Sequence, residues 1–222
     1  MRVRLGGALL AAGIIVGSAS GAPAPSPITV YAAPSGSSPW GIAKGPDGAL
    51  LFTENGRNAV GRVTVKGAFT QFKLPANASD PLGIASGPGG LWVASHNGVI
   101  VSVTTGGKTK AYTIPSDHFL YDITAGPDGN MWFTEQPPTA GGGDTSSSIG
   151  KITPGGTITE YPVLPSQSNP EYITAAGGDL WFTDGDSDAI GRVTPAGAVK
   201  EFKIPGGHAI PQGITKGRDG AL

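Results

Sequence analysis

Acidic side chains recur at one position of this sequence, directly after short apolar and aromatic runs. Glu54 ends "LLFTE", Glu135 ends "MWFTE" and Asp184 ends "LWFTD", whereas Ser95 takes that position in "LWVAS". Carboxylates that recur in this way could surround a common opening as general bases or as cation ligands. The alternative is a structural role, in which each carboxylate accepts backbone N–H bonds from the loop that follows it.

The three histidines, His96, His118 and His208, lie in segments of irregular sequence. His118 follows Asp117, and an imidazole beside a carboxylate is a possible acid/base unit. Adjacent side chains in an extended segment point to opposite sides, so a solvated loop histidine is the alternative.

The segment "DGDSD", residues 184–188, resembles the beginning of a calcium-binding loop. Such a loop requires Gly at its sixth position and Glu at its twelfth, where this chain has Ala189 and Pro195. An ordinary turn between two strands is the alternative, because the segment aligns with "ENGRN" of an earlier repeat. The candidate metal ligands are Asp184, Asp186 and Asp188.

All of these residues belong to a phrase that the chain repeats with a period near 40 residues. Its copies begin at Pro39, Pro81, Leu120, Pro170 and Pro211. Each complete copy holds four short apolar runs separated by Gly-, Pro- and Asp-rich turns, without helical periodicity. This organisation is typical of a β-propeller blade, so we predict an all-β fold, a β-propeller of four-stranded blades. One residue per copy should pack between neighbouring blades: Leu51, Trp92, Trp132 and Trp181.

The strand order of a propeller assigns its turns to two faces. Turns that join strands one to two and three to four share one face, and here they repeat the same Gly- and Pro-rich sequences. The loops between strands two and three, and the connectors between blades, lie on the other face, which we call the variable face. These segments carry nearly all of the irregular sequence, including the insertion at 137–148. We predict a small-molecule or peptide ligand on this face, at the channel mouth, because function usually lies in variable loops on a constant scaffold.

Residues 1–25 have the layout of a secretory signal peptide followed by a Pro-rich leader. Arg2 and Arg4 precede an apolar run from Leu5 to Val16, which is too short for a membrane span. We therefore predict a secreted or periplasmic protein without a membrane span after cleavage; an uncleaved anchor is the alternative.

The next segment, residues 26–38, is predicted to be the closing strand of the last blade, because "ITVYAAP" resembles the end of a repeat, "ITEYPVLP". Residues 39–222 would then hold four blades and an incomplete fifth. A propeller ring closes when such a strand completes its last blade, so the sequence predicts an unfinished ring in this chain.

Composition excludes several classes of function. Basic and acidic residues number 15 and 16, and the net charge is −1, so we expect no nucleic-acid partner. The chain contains no cysteine, which excludes disulfides and thiolate metal sites.

The repeated phrase "P-x-G-I…G-P-D-G-x-L/M-W-F-T-E…I-G-R/K-I/V-T-P-x-G" resembles the virginiamycin B lyase (streptogramin lyase) family over residues 28–222. The resemblance implies a seven-bladed propeller, of which this C-terminally truncated chain would hold about four and a half blades. It also implies a carbon–oxygen lyase that opens cyclic depsipeptide antibiotics by elimination, with Mg²⁺ and a histidine–glutamate pair at the channel mouth.

Carried over to this sequence, that catalytic pair is incomplete. Glu54 and Glu135 match the glutamate of "W-F-T-E", but the family's pair lies in later blades than this chain reaches. The family's histidine position is held here by Gly41, Gly83, Asp122, Tyr172 and Gly213. The catalytic residues therefore stay unassigned, and the candidates on the variable face are Glu54, Glu135, Asp184, His118 and Asp122.

Two other functions stay open beside the lyase. One is a non-catalytic extracytoplasmic propeller that binds a ligand or a protein. The other is a calcium-dependent lactonase-type propeller, which would use the acidic positions rather than a histidine. We expect the 222-residue chain by itself not to open a streptogramin B, because the family's chemistry would lie in further blades.

Overall fold

The computed structural model describes residues 29–104, 106–138, 146–162 and 168–222. The chain divides into two units, residues 1–32 and 33–222, and in the first of them residues 29–32 form no strand. The predicted signal peptide, residues 1–25, lies outside the described residues. No helix within the described ranges has the length and apolarity that crossing a membrane requires.

The second unit consists of four antiparallel sheets, each with four strands. Blade 1 contains β1 (Pro39–Lys44), β2 (Leu50–Glu54), β3 (Ala59–Val63) and β4 (Phe69–Lys73). Blade 2 contains β5 (Pro81–Gly87), β6 (Gly90–Ser95), β7 (Val99–Val103) and β8 (Thr109–Thr113). Blade 3 contains β9 (Phe119–Ala125), β10 (Met131–Gln136), β11 (Ser148–Ile152) and β12 (Ile158–Pro162). Blade 4 contains β13 (Pro170–Ala176), β14 (Asp179–Asp184), β15 (Ala189–Val193) and β16 (Val199–Lys203).

Strand order within the sheets confirms the propeller. In every sheet the strands are hydrogen-bonded in chain order, and the first strands of successive blades (β1, β5, β9, β13) pack against one another. The first strand of each blade is therefore the innermost and the fourth is the outermost. The only helical element in the described residues is a 3-10 turn at Asn55–Arg57.

Three apolar clusters lie between successive blades and form the core. Leu51 of blade 1 packs into the cluster shared with blade 2, Trp92 into the cluster shared with blade 3, and Trp132 into the cluster shared with blade 4. These three side chains are buried, as predicted. Trp181 is half-buried, because its side of blade 4 faces away from blade 3, and its ring stacks on Phe202.

A blade buries its apolar surface only where a neighbouring blade covers it. Ile84, Ile123 and Ile173 occupy one repeat position on the innermost strands and are 6%, 2% and 4% exposed. Ile42 takes this position in blade 1, where the described residues place no preceding blade, and it is 64% exposed. Fully burying such a side chain contributes about 1.5–3 kcal/mol, so contacts between blades hold much of the folding energy.

The turns between strands three and four have one geometry throughout. In each, a threonine donates its N–H to the carbonyl oxygen four residues later, at 2.9–3.0 Å. Its hydroxyl oxygen accepts the N–H of that same residue at 3.0–3.1 Å. The threonines are Thr64, Thr104, Thr153 and Thr194. The turns between strands three and four are thus uniform in structure, whereas those between strands one and two are of two kinds: longer in blades 1 and 3 and two residues long in blades 2 and 4.

The two ends of the repeat region contain no strand. Residues 29–38, which include most of the predicted closing strand, form none, so that role stays a prediction. Residues 204–222 also form no strand. Their turn nevertheless reproduces blade 1: Gly217 N–H donates to the Ala221 carbonyl at 2.7 Å, as Gly45 N–H does to that of Ala49 at 2.8 Å.

Candidate functional site

The recurring acids at the ends of β2, β10 and β14 are fully buried inside their own blades. Each carboxylate lies beside a side chain of the outermost strand, which is Gln71, Glu160 or Glu201. The carboxylates therefore point away from the innermost strand of their blade. Each acid also contacts the connector that precedes its own blade.

In blade 1, Glu54 joins the outermost strand to the preceding connector. Ser37, directly before β1, donates its hydroxyl to Glu54 Oε1 at 2.6 Å. The amide of Gln71 on β4 donates to Glu54 Oε2. Both carboxylate oxygens are therefore occupied by neutral donors.

In blade 3, Glu135 binds two side chains of the connector between blades 2 and 3. His118 Nδ1 lies 3.3 Å from Glu135 Oε2, and the Ser116 hydroxyl donates to the same oxygen at 3.3 Å. Ser116 also lies within hydrogen-bond distance of Glu160 Oε1, at 3.0 Å. The bond to Glu135 raises the pKa of His118, and burial raises the pKa of Glu135. The pair therefore holds its protons to higher pH than free side chains would.

In blade 4, Asp184 binds backbone groups through one oxygen only. Its Oδ1 accepts the N–H groups of Asn169 at 2.9 Å and Ser187 at 3.1 Å, whereas its Oδ2 is buried without a donor. Glu201 of β16 lies beside it and accepts the Ser168 hydroxyl at 3.3 Å. Burial and the neighbouring Asp184 raise the pKa of Glu201 to about 7. When it is protonated, Glu201 can therefore donate a hydrogen bond to Asp184.

These contacts agree with the structural alternative for the acids, whereas a catalytic role stays a prediction. Asp184 accepts an N–H of the loop that follows it, as the structural interpretation predicted, and all three acids bind the connectors that precede their blades. The interpretation of His118 as a solvated loop histidine is wrong, because its side chain is 5% exposed and its partner is Glu135 rather than the adjacent Asp117.

Asp184 and Asp188 of "DGDSD" bind separate backbone groups. Asp188 accepts the backbone N–H groups of residues 208–210 at 2.6–3.2 Å, and Asp186 is exposed. In the part of the chain that the structure describes, no three His, Cys, Asp or Glu side chains are grouped so as to hold a metal ion. The described residues therefore do not fit a resident Ca²⁺ or Mg²⁺ held by protein ligands alone.

Asp122 differs from the other candidates because it lies on an innermost strand, β9. It stands at a β-bulge that recurs at the start of every first strand. Thr134 Oγ1 accepts the Asp122 N–H at 3.0 Å and donates to the Glu171 carbonyl at 2.7 Å. The Asp122 carboxylate accepts the N–H groups of Ile123 at 2.9 Å and Ile173 at 3.1 Å, and burial raises its pKa to about 6. Asp122 thus joins the innermost strands of blades 3 and 4.

The sequence reasoning missed a set of aromatic side chains on the variable face. The His96 ring, in the loop between β6 and β7, stacks on Phe119 with centroids 4.3 Å apart. Tyr121 meets the same imidazole edge-on at 6.0 Å. Departures of blades 3 and 4 from "P-x-G-I" were the signal that could have found this set. His208 is exposed, and its backbone N–H binds Asp188.

Comparison with known proteins decides the family. A model described as the virginiamycin B lyase family matches residues 23–142 and 100–222. The chain belongs to the virginiamycin B lyase family. Among curated proteins, none matches the chain.

Two solved structures of virginiamycin B lyase from Staphylococcus aureus are similar to this family member. One is 37% identical, with a TM-score of 0.70, and the match covers 77% of this chain and 57% of that one. The other, a catalytically inactive histidine-to-alanine variant with quinupristin, is 36% identical, with a TM-score of 0.74 and coverage of 81% and 60%. This chain thus spans less than two thirds of their length.

Regucalcin from Agrobacterium tumefaciens, described as a calcium-binding protein, shares the fold alone. It is 20% identical, with a TM-score of 0.57, and the match covers 74% of this chain and 58% of that one.

Proposed function

We propose that the protein is a carbon–oxygen lyase that opens a cyclic depsipeptide antibiotic of the streptogramin B type. The observation that carries this proposal is the 37% identity with virginiamycin B lyase over 77% of the chain. Because the chain spans 57% of that enzyme, the proposal concerns the activity of the whole protein.

The proposed reaction is an elimination at the ester bond of the ring. A base removes the proton α to a carbonyl group, the electrons of that C–H bond form a C=C bond, and the β-carbon–oxygen bond breaks. The ester oxygen leaves as part of a carboxylate. Such a reaction needs a general base and donors that stabilise the negative charge developing on the carbonyl oxygen.

The contacts divide the five candidate residues into two groups. Glu54, Glu135, Asp184 and His118 join connectors to their blades, so we expect them to act in stability. Asp122 alone lies on an innermost strand, beside the channel where we place the ligand. Its carboxylate already accepts two backbone N–H groups, so we expect it to shape the channel mouth rather than to be the base.

Mass spectrometry of quinupristin incubated with the full-length protein tests this function. An elimination gives a linear product of unchanged mass with a new C=C bond, whereas a lactonase adds the mass of one water molecule. The assay is run with Mg²⁺ and with a chelator, because the family resemblance implies that ion. A hydrolytic product, or intact quinupristin after prolonged incubation, would contradict the proposal.

A non-catalytic binding propeller is the second candidate. It stays beside the lyase because no catalytic histidine is assigned in this chain: the family's histidine position holds other residues in all five copies, from Gly41 to Gly213. Calorimetric binding of quinupristin by the full-length protein without any product would support this candidate over the lyase.

We place this activity outside the cytoplasm, on the basis of the leader at residues 1–25. N-terminal sequencing of the protein recovered from the medium or the periplasm tests this location. A mature chain that begins between residues 20 and 24 is the expected result, and an intact N-terminus in the cytoplasmic fraction would contradict it.

A further inference from the structure

The first strands of blades 3 and 4 depart from the repeat at their variable-face ends. Blades 1 and 2 begin with "PWGI" and "PLGI", in which glycine occupies the bulge. Blade 3 has "LYDI" there, preceded by Phe119, and blade 4 has "PEYI". Glycine forms the bulge in blades 1 and 2, so the propeller itself does not require the aromatic and acidic side chains of β9 and β13. These two strands are neighbours in the structure.

The aromatic side chains at this place come from two blades and contact one another. His96 of blade 2 stacks on Phe119 of blade 3 at an interplanar angle of 12°, and Tyr121 meets His96 at 71°. All three residues are only partly buried, so part of each reaches solvent. A phenylalanine left partly in water forgoes some of its burial energy, which favours a role other than core packing.

Blade 4, which neighbours this aromatic group, carries two acidic side chains on the variable face. Glu171 is half-buried at the start of β13, and Asp186 is exposed in the loop between β14 and β15. Burial and the charge of Asp186 raise the pKa of Glu171. Tyr172 lies close enough to Tyr121 and Glu171 for both to influence its hydroxyl group electrostatically. Glu171 thus stands on the strand that neighbours the one carrying Phe119 and Tyr121.

We propose that His96, Phe119 and Tyr121 form a subsite for an aromatic group of the ligand, and that Glu171 and Asp186 bind a basic group next to it. Aromatic faces and edges bind ligand rings by offset or edge-on stacking. The carboxylates of Glu171 and Asp186 favour a cation, which the aromatic rings attract as well. The identification of this ligand with a depsipeptide substrate rests on the function proposed above; the subsite itself does not.

A small probe tests the subsite independently of any enzymatic activity. 2-Phenylethylamine carries a ring and an ammonium group, whereas 2-phenylethanol carries the ring alone and butylamine the charge alone. Each is titrated into the full-length protein while the His96 ring resonances are followed by NMR. We expect 2-phenylethylamine to bind more tightly than either comparator and to shift these resonances.

Single variants assign the binding to its residues. His96→Ala and Phe119→Leu should each weaken the binding of 2-phenylethylamine about tenfold, the effect of losing one aromatic contact. Because His96→Ala removes the reporter, binding to this variant is followed on the probe's own signals. Glu171→Gln should weaken binding several-fold at low salt, and the difference should shrink as salt screens the charge. His208→Ala is the matched control, an exposed histidine on the same face, and should bind like the wild type.

Thermal unfolding of each variant shows whether the fold is kept, and Phe119→Leu retains apolar volume for that purpose. Wild-type protein that fails to bind 2-phenylethylamine, or His96→Ala and Phe119→Leu proteins that bind it unchanged, would overturn the subsite. The quinupristin assay decides the proposed function separately. If both proposals hold, His96→Ala raises KM for quinupristin and leaves kcat nearly unchanged.

Discussion

The second blade and the other three solve the same packing problem with different residues. In blade 3, Phe133, Gly150 and Glu160 lie side by side on successive strands, and the phenyl ring covers the glycine. Blades 1 and 4 repeat this pattern with Phe52, Gly61 and Gln71, and with Phe182, Gly191 and Glu201. Blade 2 has Val93, Val101 and Ala111 at these positions. Val93 and Val101 thus replace the phenyl ring and the glycine that it covers. The polar residue of the outermost strand is replaced by Ala111, in the same blade that has a serine instead of the acid.

The connector that leads into blade 2 is held by a different side chain. Asn97, in the loop between β6 and β7, donates to the Asn77 carbonyl at 2.8 Å and accepts the Ser79 N–H at 3.0 Å. Ser95, at the position of the acid, has a buried hydroxyl without a partner. The comparison shows that the shared requirement is to fix the connector, which an acid does in three blades and an asparagine does in one.

The largest expected effect is the loss of the acid in blade 3. Glu135→Ala leaves His118 buried without its partner and should destabilise the protein by about 3–5 kcal/mol in urea unfolding. Ser95→Ala is the matched change in blade 2 and should cost little, because that hydroxyl has no partner to lose. Equal losses of unfolding free energy in the two variants would contradict the proposed difference between blades 2 and 3.

The next effect concerns the glycine under the phenyl ring. A Cβ at Gly150 would overlap the Phe133 ring and Glu135 Oε1. Gly150→Val should therefore destabilise the protein by about 1–3 kcal/mol through overpacking. Phe133→Val in the same chain imitates blade 2 and should recover part of that loss. A double-mutant cycle measures this coupling, and strictly additive effects would refute it.

A smaller effect is expected for the asparagine that replaces the acid. Asn97→Ala removes two hydrogen bonds at an exposed site and should cost about 1 kcal/mol in the same unfolding experiment. Asn77→Ala is the control, because only the backbone carbonyl of Asn77 takes part. If both variants unfold at the same denaturant concentration, Asn97 does not hold the connector.

The smallest effect is the contribution of blade 4 to the pH dependence of stability. Glu201 ionises at its ordinary value of 4.5 in the unfolded chain and at about 7 in the folded one, so stability should fall as pH rises between these values. Glu201→Gln places the amide of blade 1 beside Asp184 and should reduce this fall, whereas the part that comes from Asp122 and Glu135, whose pKa values burial also raises, should stay. Gln71→Glu in blade 1 should add a similar fall of stability with rising pH. Unfolding curves between pH 4 and 8 test both, and an unchanged profile in Glu201→Gln would assign the proton elsewhere.

Much of the fold could be predicted because its signals are local. The period of the repeat, the alternation of apolar residues and the turn chemistry act over a few residues each, and together they predicted four-stranded blades and the burial of Trp92 and Trp132. The acids were recognisable as a set for the same reason, since they occupy one position of each repeat.

The partners of those acids could be known only from the tertiary structure. In the sequence, the carboxylate next to His118 is that of Asp117. In the fold, β10 lies beside the connector, and the partner of His118 is Glu135. The stacking of His96 on Phe119 likewise joins two blades. The sequence by itself determined the blades and their turns, because these depend on interactions within about ten residues. The tertiary structure decided which buried charges are paired and which rings meet on the variable face, because those contacts form between segments that only the packing of strands and blades brings together.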